Sequence, residues 1–269
     1  MRVFLGSCPI CVQEQIDPRS WLHIFTQTND LGVYVHTCSF NHTVVYSVNC
    51  WKFDILFGGA LIAICDGYYR EAIVDFAACT ERFSEFYCEA MAVKNNISPS
   101  NFEAAWKPLK KLSERQTGAF YMLYLHENKK PVPNLDNQKI SKKSGDYKSF
   151  RNQVIHNGYI PTREEVIKFG ECTFQHVADL LCSLSIIRVN KSNYVETSLL
   201  EYMHLQLWSR NVEISNNRIA ELRLPSGNSV GQVGGTSGLI TVAAVDGRVK
   251  SNFESCLEIA EKAYLYHRT

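Results

Sequence analysis

The chain has no run of about 18 or more consecutive apolar residues, the length that marks a helix able to cross a bilayer. Its best apolar segment, Phe53 to Cys65, is interrupted by Gly58-Gly59 and flanked by Asp54 and Asp66, so it reads as a buried helix. Met1 to Cys8 is too short for the apolar core of a secretory signal. Glycines 227, 231, 234, 235 and 238 match no phosphate-binding pattern, because no Lys-Ser or Lys-Thr directly follows any of them. No internal repeat stands out, and the net charge is only +1. These absences exclude a membrane span, a nucleoside-triphosphate loop and a repeat array. They leave the expectation of a soluble, cytoplasmic globular protein whose 269 residues make one large domain or two small ones.

Cysteine, by contrast, is abundant at ten residues. Cys65, Cys79, Cys88, Cys172, Cys182 and Cys256 lie within apolar helical patterns, where a reduced thiol behaves as a small hydrophobe. Cys8-Pro-Ile-Cys11 is different, as is Cys38-Ser-Phe-Asn-His42 about 27 residues later, between two expected strands. Two such pairs on turns offer the four soft or borderline ligands of a tetrahedral zinc, and a closed set of four makes the metal structural. Cys8, Cys11, Cys38 and His42 are the expected ligands, with His36 and Cys50 as alternatives for the fourth. A redox role for the CxxC is disfavoured, since no βαβ pattern surrounds it.

The small net charge conceals an asymmetry. Between Lys107 and Arg151 stand eleven Lys and Arg against four acids, Glu114, Glu127, Asp136 and Asp146, a local balance of +7 that leaves about −6 for the remainder. Such a run serves solubility on a solvated face, or it draws phosphates toward whatever it adjoins. Lys142, Lys143 and Lys148 are the expected substrate-binding cations.

Along the chain the apolar period changes at Trp51. Before it, Trp21 to Thr26, Val33 to Thr37 and Val44 to Val48 read as short strands, with Asn29 to Gly32 as a turn. After it come helices over Phe53 to Cys65, Tyr68 to Val93, Phe102 to Leu112, Thr117 to His126 and Asp146 to His156. A long helix follows from Pro161 to about Ile187, with Thr162 and Glu165 as a capping box. Asn128 to Ser144, polar and with two prolines, reads as an exposed loop. Tyr194 to Trp208 reads as helix, Arg218 to Leu224 and Leu239 to Ala244 as strands around a Gly/Ser-rich turn, and Val249 to Tyr266 as a last helix. Tyr68, Tyr69, Tyr121 and Tyr124 are assigned to the core, and His126, His176 and His204 to structural roles.

The most informative run is Arg151-Asn-Gln-Val-Ile-His156, stopped by Asn157-Gly158. It joins a permanent cation to the side chain that both accepts and donates protons near neutral pH. At about 100° per residue the two side chains lie about 140° apart, so both border one groove only if the helix edge faces it. In RNA cleavage a histidine takes the proton of the attacking 2′-hydroxyl or supplies one to the leaving 5′-oxygen, while a guanidinium steadies the charged phosphorane. Asn152 would bind phosphate or orient the histidine. Two copies across a two-fold axis would supply acid and base together.

The stretch from Phe150 to Glu165, with its Arg, polar residue and His four residues on, followed by a long amphipathic helix, resembles the core of a HEPN domain. The resemblance extends from about Trp51 to Ile187. It implies a bundle of four or five helices that dimerises with the paired motifs at the interface. It also implies a metal-independent ribonuclease of antiphage defence or a toxin–antitoxin pair, with RNA as substrate and an antitoxin or defence protein as partner. An acid on an earlier helix often stands near the motif in that family, and Glu81 and Glu85 are placed for it. A ribbon joined to such a bundle resembles a group of bacterial and phage-associated proteins. The expected architecture is mainly α: a small β zinc ribbon over residues 1–50, a HEPN-like bundle over 51–189 and an α+β extension over 190–269. Arg151, Asn152 and His156 are the expected catalytic residues, zinc is structural and no catalytic metal is expected. The competing reading is a non-catalytic dimeric scaffold or sensor that binds nucleic acid, a nucleotide or a protein.

Overall fold

The computed structural model describes residues 2–6, 8–14, 24–27, 29, 32–141, 145–192, 195–223, 231–233 and 253–266. In chain order the elements are β1 (Arg2–Gly6), α1 (Pro9–Gln13), β2 (Ile24–Gln27), β3 (Val33–Thr37), β4 (Thr43–Val48), α2 (Lys52–Cys65) and α3 (Tyr69–Lys94). Then come α4 (Pro99–Leu109), α5 (Ser113–Asn128), β5 (Lys139–Ser141), β6 (Gly145–Asp146), α6 (Tyr147–His156) and α7 (Arg163–Ser185). The chain continues through β7 (Arg188–Ser192), β8 (Val195–Ser198), α8 (Leu199–Leu222), β9 (Gly231–Val233) and α9 (Phe253–Tyr266). Helix dominates, with small sheets, and the chain divides into two compact units: Met1–Trp51 with Glu201–Gly238, and Lys52–Leu200 with Leu239–Thr269.

In the first unit β1 pairs antiparallel with β2, and β3 pairs antiparallel with β4, which takes β9 as a parallel neighbour. Every residue of β4 from Val44 to Val48 is buried, so this strand is covered on both faces. Tyr34 and Tyr46 are cross-strand partners, and both are core residues. The turn before β3 is held by Asn29, whose Oδ1 accepts from the Gly32 amide at 2.8 Å, with Gly32 at φ 66. Buried Asn211 of α8 donates to the Val48 carbonyl at 3.1 Å and to Asn49 Oδ1 at 2.9 Å, satisfying the open end of β4.

The second unit is built around α3, against which α2, α5, α6 and α7 pack, with α9 on α2 and α7. Its centre is aromatic: Phe57, Phe76, Phe169, Phe174 and Phe253 stand within 6.4 Å of their ring neighbours. Gly170 is required there, because a Cβ would meet Phe253 at 2.5 Å and Phe76 at 2.8 Å. The capping box on α7 forms as the sequence indicates, with Thr162 and Glu165 each bonding the other's backbone amide. This unit has more helices than the four or five that the HEPN resemblance implies.

Glu201–Gly238 groups with the first unit and Leu239–Thr269 with the second. Several expectations about single elements need correction. Residues 218–222 continue α8 and are not a strand; no Gly or Pro interrupts the helix before Pro225. Residues 195–198 form β8, which pairs with β7 as a hairpin ahead of α8. The region after Asn128 is not wholly exposed, since Leu135 and Ile140 are buried and β5 pairs with β6. Tyr124 is core, as expected, but Tyr68 and Tyr121 lie at the surface, and Cys182 is exposed. The strand expected over 239–244 lies outside the described residues, as do positions 21–23 and 249–252 at the ends of other expected elements.

Candidate functional site

Cys8, Cys11, Cys38 and His42 converge, although only one of their two pairs sits on a hairpin turn. Cys8 is the N-cap of α1, Pro9 opens the helix, and Cys11 follows within its first turn. The second pair occupies the β3–β4 connection, where the Asn41 amide donates to the Cys38 carbonyl at 2.9 Å and Asn41 takes φ 62. Cys38 N also donates to the His42 carbonyl at 3.0 Å, closing the loop.

The four ligand atoms all lie within 4.8 Å of one another. Cys11 Sγ is 3.7 Å from Cys38 Sγ and 3.3 Å from His42 Nδ1, and Cys8 Sγ is 3.9 Å from the same nitrogen. A tetrahedral ion at ordinary sulfur and nitrogen bond lengths has ligand–ligand edges of about 3.5–3.8 Å, so these three separations are close to those a metal needs. All ten cysteines are free thiols. His36 and Cys50, the other ligand candidates, stand outside the group.

The thiols differ in acidity. Burial, then hydrogen bonds with Cys38 and Cys8, push Cys11 up to about 12. Burial also acts to raise Cys38, but amide hydrogen bonds from Phe40 and His42 outweigh it and hold that thiol below its ordinary value. Backbone donors aimed at a cysteine sulfur are what a metal thiolate needs around it. The sequence reading missed Glu14, whose carboxylate stands 3.4 Å from His42 Nε2. That contact orients the imidazole with Nδ1 toward the cysteines. The available signal was an acid three residues beyond Cys11, on the same turn of chain.

In the other unit, Asp146 caps α6, its carboxylate accepting from the Ser149 amide at 2.8 Å. Tyr147, Phe150 and Val154, three and four residues apart, bury one face of the helix. Tyr147 stacks on Phe169 at 3.9 Å between ring centroids, and its hydroxyl meets Thr173 Oγ1 at 2.9 Å. This packing leaves Arg151 and Asn152 half-buried at the helix flank and His156 exposed on the last turn. Gly158, at φ 72, ends the helix.

Arg151 donates to Glu81 of α3 at 2.7 Å, with the two side chains 30% and 28% exposed. Glu81 is therefore the acid beside the motif. Glu85 serves elsewhere: it accepts from Trp106 Nε1 at 2.7 Å and pairs with Arg82, which in turn donates to Gln116 at 2.8 Å. That network ties α3 to α4 and α5. Lys148 is exposed on α6, whereas Lys142 and Lys143 lie outside the described residues. Two cavities in this unit, of about 400 and 470 Å³, border Arg163 and Glu261 in one case and His176 and Glu254 in the other; neither is lined by Arg151 or His156. No described helix is long and apolar enough to cross a membrane.

The metal group and the Arg–His helix thus belong to different compact units of one chain. No family model matches the sequence, and no curated protein or solved structure is significantly similar to it.

Proposed function

We propose that this chain is a zinc-stabilised, HEPN-type endoribonuclease that acts as a homodimer in a defence or toxin system. The observation that carries the reading is the motif's setting: Arg151 is held by Glu81 yet still reaches solvent, and His156 is free at the end of the same helix. In the reaction the RNA 2′-oxygen attacks the adjacent phosphorus, the bond to the 5′-oxygen breaks, and a 2′,3′-cyclic phosphate and a 5′-hydroxyl result. His156 takes the 2′-hydroxyl proton, and His156 of the partner subunit supplies one to the departing 5′-oxygen. Arg151 swings from Glu81 to the phosphorane oxygens, where a charge-assisted contact is strongest as negative charge grows. Asn152 steadies the phosphate, and Lys142, Lys143 and Lys148 guide the strand toward it. Zinc on Cys8, Cys11, Cys38 and His42 closes a structural site and takes no part in the chemistry.

The test is purified protein incubated with total RNA in the presence of a chelator, wild type beside His156→Ala. The substitution is expected to lower cleavage by about 10²–10⁴-fold, the usual worth of a general acid or base. Cleavage unchanged in His156→Ala would overturn the proposal. A second reading draws on the same ion pair, because Glu81 already neutralises Arg151 and so fastens α6 to α3. In that case the chain is a non-catalytic dimeric scaffold, and neither protein produces cyclic-phosphate ends.

A further inference from the structure

One carboxylate of α7 gathers hydroxyls from both sides of the helix that carries Arg151 and His156. Glu165 is buried, at 8% exposure. Its Oε1 accepts from Ser141 Oγ at 3.1 Å, and the Tyr159 hydroxyl donates to the carboxylate from 3.1 and 3.0 Å. Oε2 also takes the Thr162 amide at 3.0 Å, the contact that belongs to the α7 cap. Capping accounts for that last bond alone, since Ser141 and Tyr159 lie outside the cap.

The two hydroxyls belong to the two ends of α6. Ser141 closes β5, which pairs with β6, and β6 runs straight into Asp146, the N-cap of α6. Tyr159 follows the other end. Its amide donates to the Gln153 carbonyl at 3.1 Å, and its ring meets Phe150 edge-on, with 6.0 Å between centroids. The chain therefore folds back over α6 next to Arg151. Between the helix and this anchor His156, Asn157 and Gly158 are all exposed, so packing does little to fix them. Desolvation, then the bond to Glu165, raise the Tyr159 hydroxyl above its ordinary value, and it stays protonated as a donor.

We propose that Glu165 is a positioning residue for the Arg151–His156 site. Through Tyr159 it fixes the turn that holds His156, and through Ser141 the hairpin from which α6 starts. Imidazole and guanidinium thereby keep one registration, although Glu165 touches neither. This role rests on the ribonuclease reading above. A reacting group displaced by about 1 Å costs on the order of 10²-fold in rate, so such a tie matters to chemistry beyond its worth to the fold.

The test is cleavage of a labelled single-stranded RNA by the full chain, at a temperature where circular dichroism shows each variant folded. Tyr159→Phe keeps the ring on Phe150 and deletes the donor. It is expected to lower kcat about ten- to hundredfold, with KM within about twofold of wild type. Amide exchange over residues 155–159 should quicken at least about tenfold in the same variant, while α3 keeps its protection. Ser141→Ala should lower kcat by about two- to fivefold. Glu165→Gln retains an acceptor for the cap and should recover part of the rate lost in Glu165→Ala. A purely structural Glu165 would lower the melting temperature of these variants and leave the kcat of folded protein unchanged. Wild-type cleavage by Tyr159→Phe beside an inactive His156→Ala would overturn this role and leave the ribonuclease reading standing. Unchanged exchange over residues 155–159 in Tyr159→Phe would overturn it whether or not RNA is cut. Unchanged cleavage by His156→Ala would instead remove the ribonuclease reading, and this role with it.

Discussion

The two compact units are ordered by different physics. Around β3 and β4 the chain gathers three thiols and an imidazole in a cluster, fixed by turn geometry and by backbone donors at Cys38. Around α3 the chain gathers phenylalanines whose rings pack on one another. The first arrangement crowds three thiols and an imidazole, a cost that a bound metal would offset; the second rests chiefly on apolar burial. One chain thus contains a unit whose side chains suit a metal and another held chiefly by apolar packing.

The largest expected effect tests the first half of that comparison. Native mass spectrometry is expected to find one zinc per chain, and Cys11→Ser to lose it, because the serine hydroxyl is a poor ligand. Structural zinc is worth about 10–16 kcal/mol in small domains, so amide exchange along β3 and β4 should become fast in Cys11→Ser while α3 stays protected. Equal loss of protection in both would break the contrast between the units.

Next in size is the aromatic centre. Phe76→Ala removes a fully buried ring that touches Phe57, Phe169 and Phe253, and is expected to cost the helical unit about 3–5 kcal/mol of stability, read from urea unfolding. Zinc content should be unchanged in that variant. Loss of zinc would show that the metal group depends on the helical core.

The smallest effect is one of acid. Burial holds His176 down to about 4, against an ordinary 6.5, in a cavity that also borders Lys168, Glu171, Cys172, Asp179 and Glu254. Between those two values the unfolded chain binds a proton that the folded chain refuses. The contribution is therefore complete above about pH 6.5 and falls as the pH drops toward 4. About 1–2 kcal/mol should be lost between pH 7 and 5, and His176→Gln should abolish that part of the slope. A slope identical in the two proteins would remove His176 from the account.

Much of this was legible in the residues. The strand Val33–Thr37 has the bounds the alternation indicates, and α2, α3, α6 and α7 begin and end within a few residues of expectation. Gly158 and the Thr162–Glu165 box are local signals, and local chemistry decides helix ends. The four clustered ligand candidates were readable because turns bring close neighbours together whatever the rest of the chain does. Glu14 was not, since an acid near a CxxC has many roles until a histidine from elsewhere arrives beside it. The exposure of Tyr121 was missed for a related reason. Tyr121 and Tyr124 look alike in the sequence, and only packing against α3 decides which one is buried.

By itself the amino-acid sequence determined the helices α2, α3, α6 and α7, the strand Val33–Thr37, the capping residues, the Cys/His pairs and the Arg–His spacing, because each depends on neighbours a few bonds away. Tertiary structure alone decided that Glu81 and not Glu85 faces Arg151. It decided too that residues 201–238 belong with the N-terminal strands, and that Tyr121 of α5 stays at the surface. Those outcomes turn on which surfaces exclude water from one another, a property of the packed chain that no short stretch of it contains.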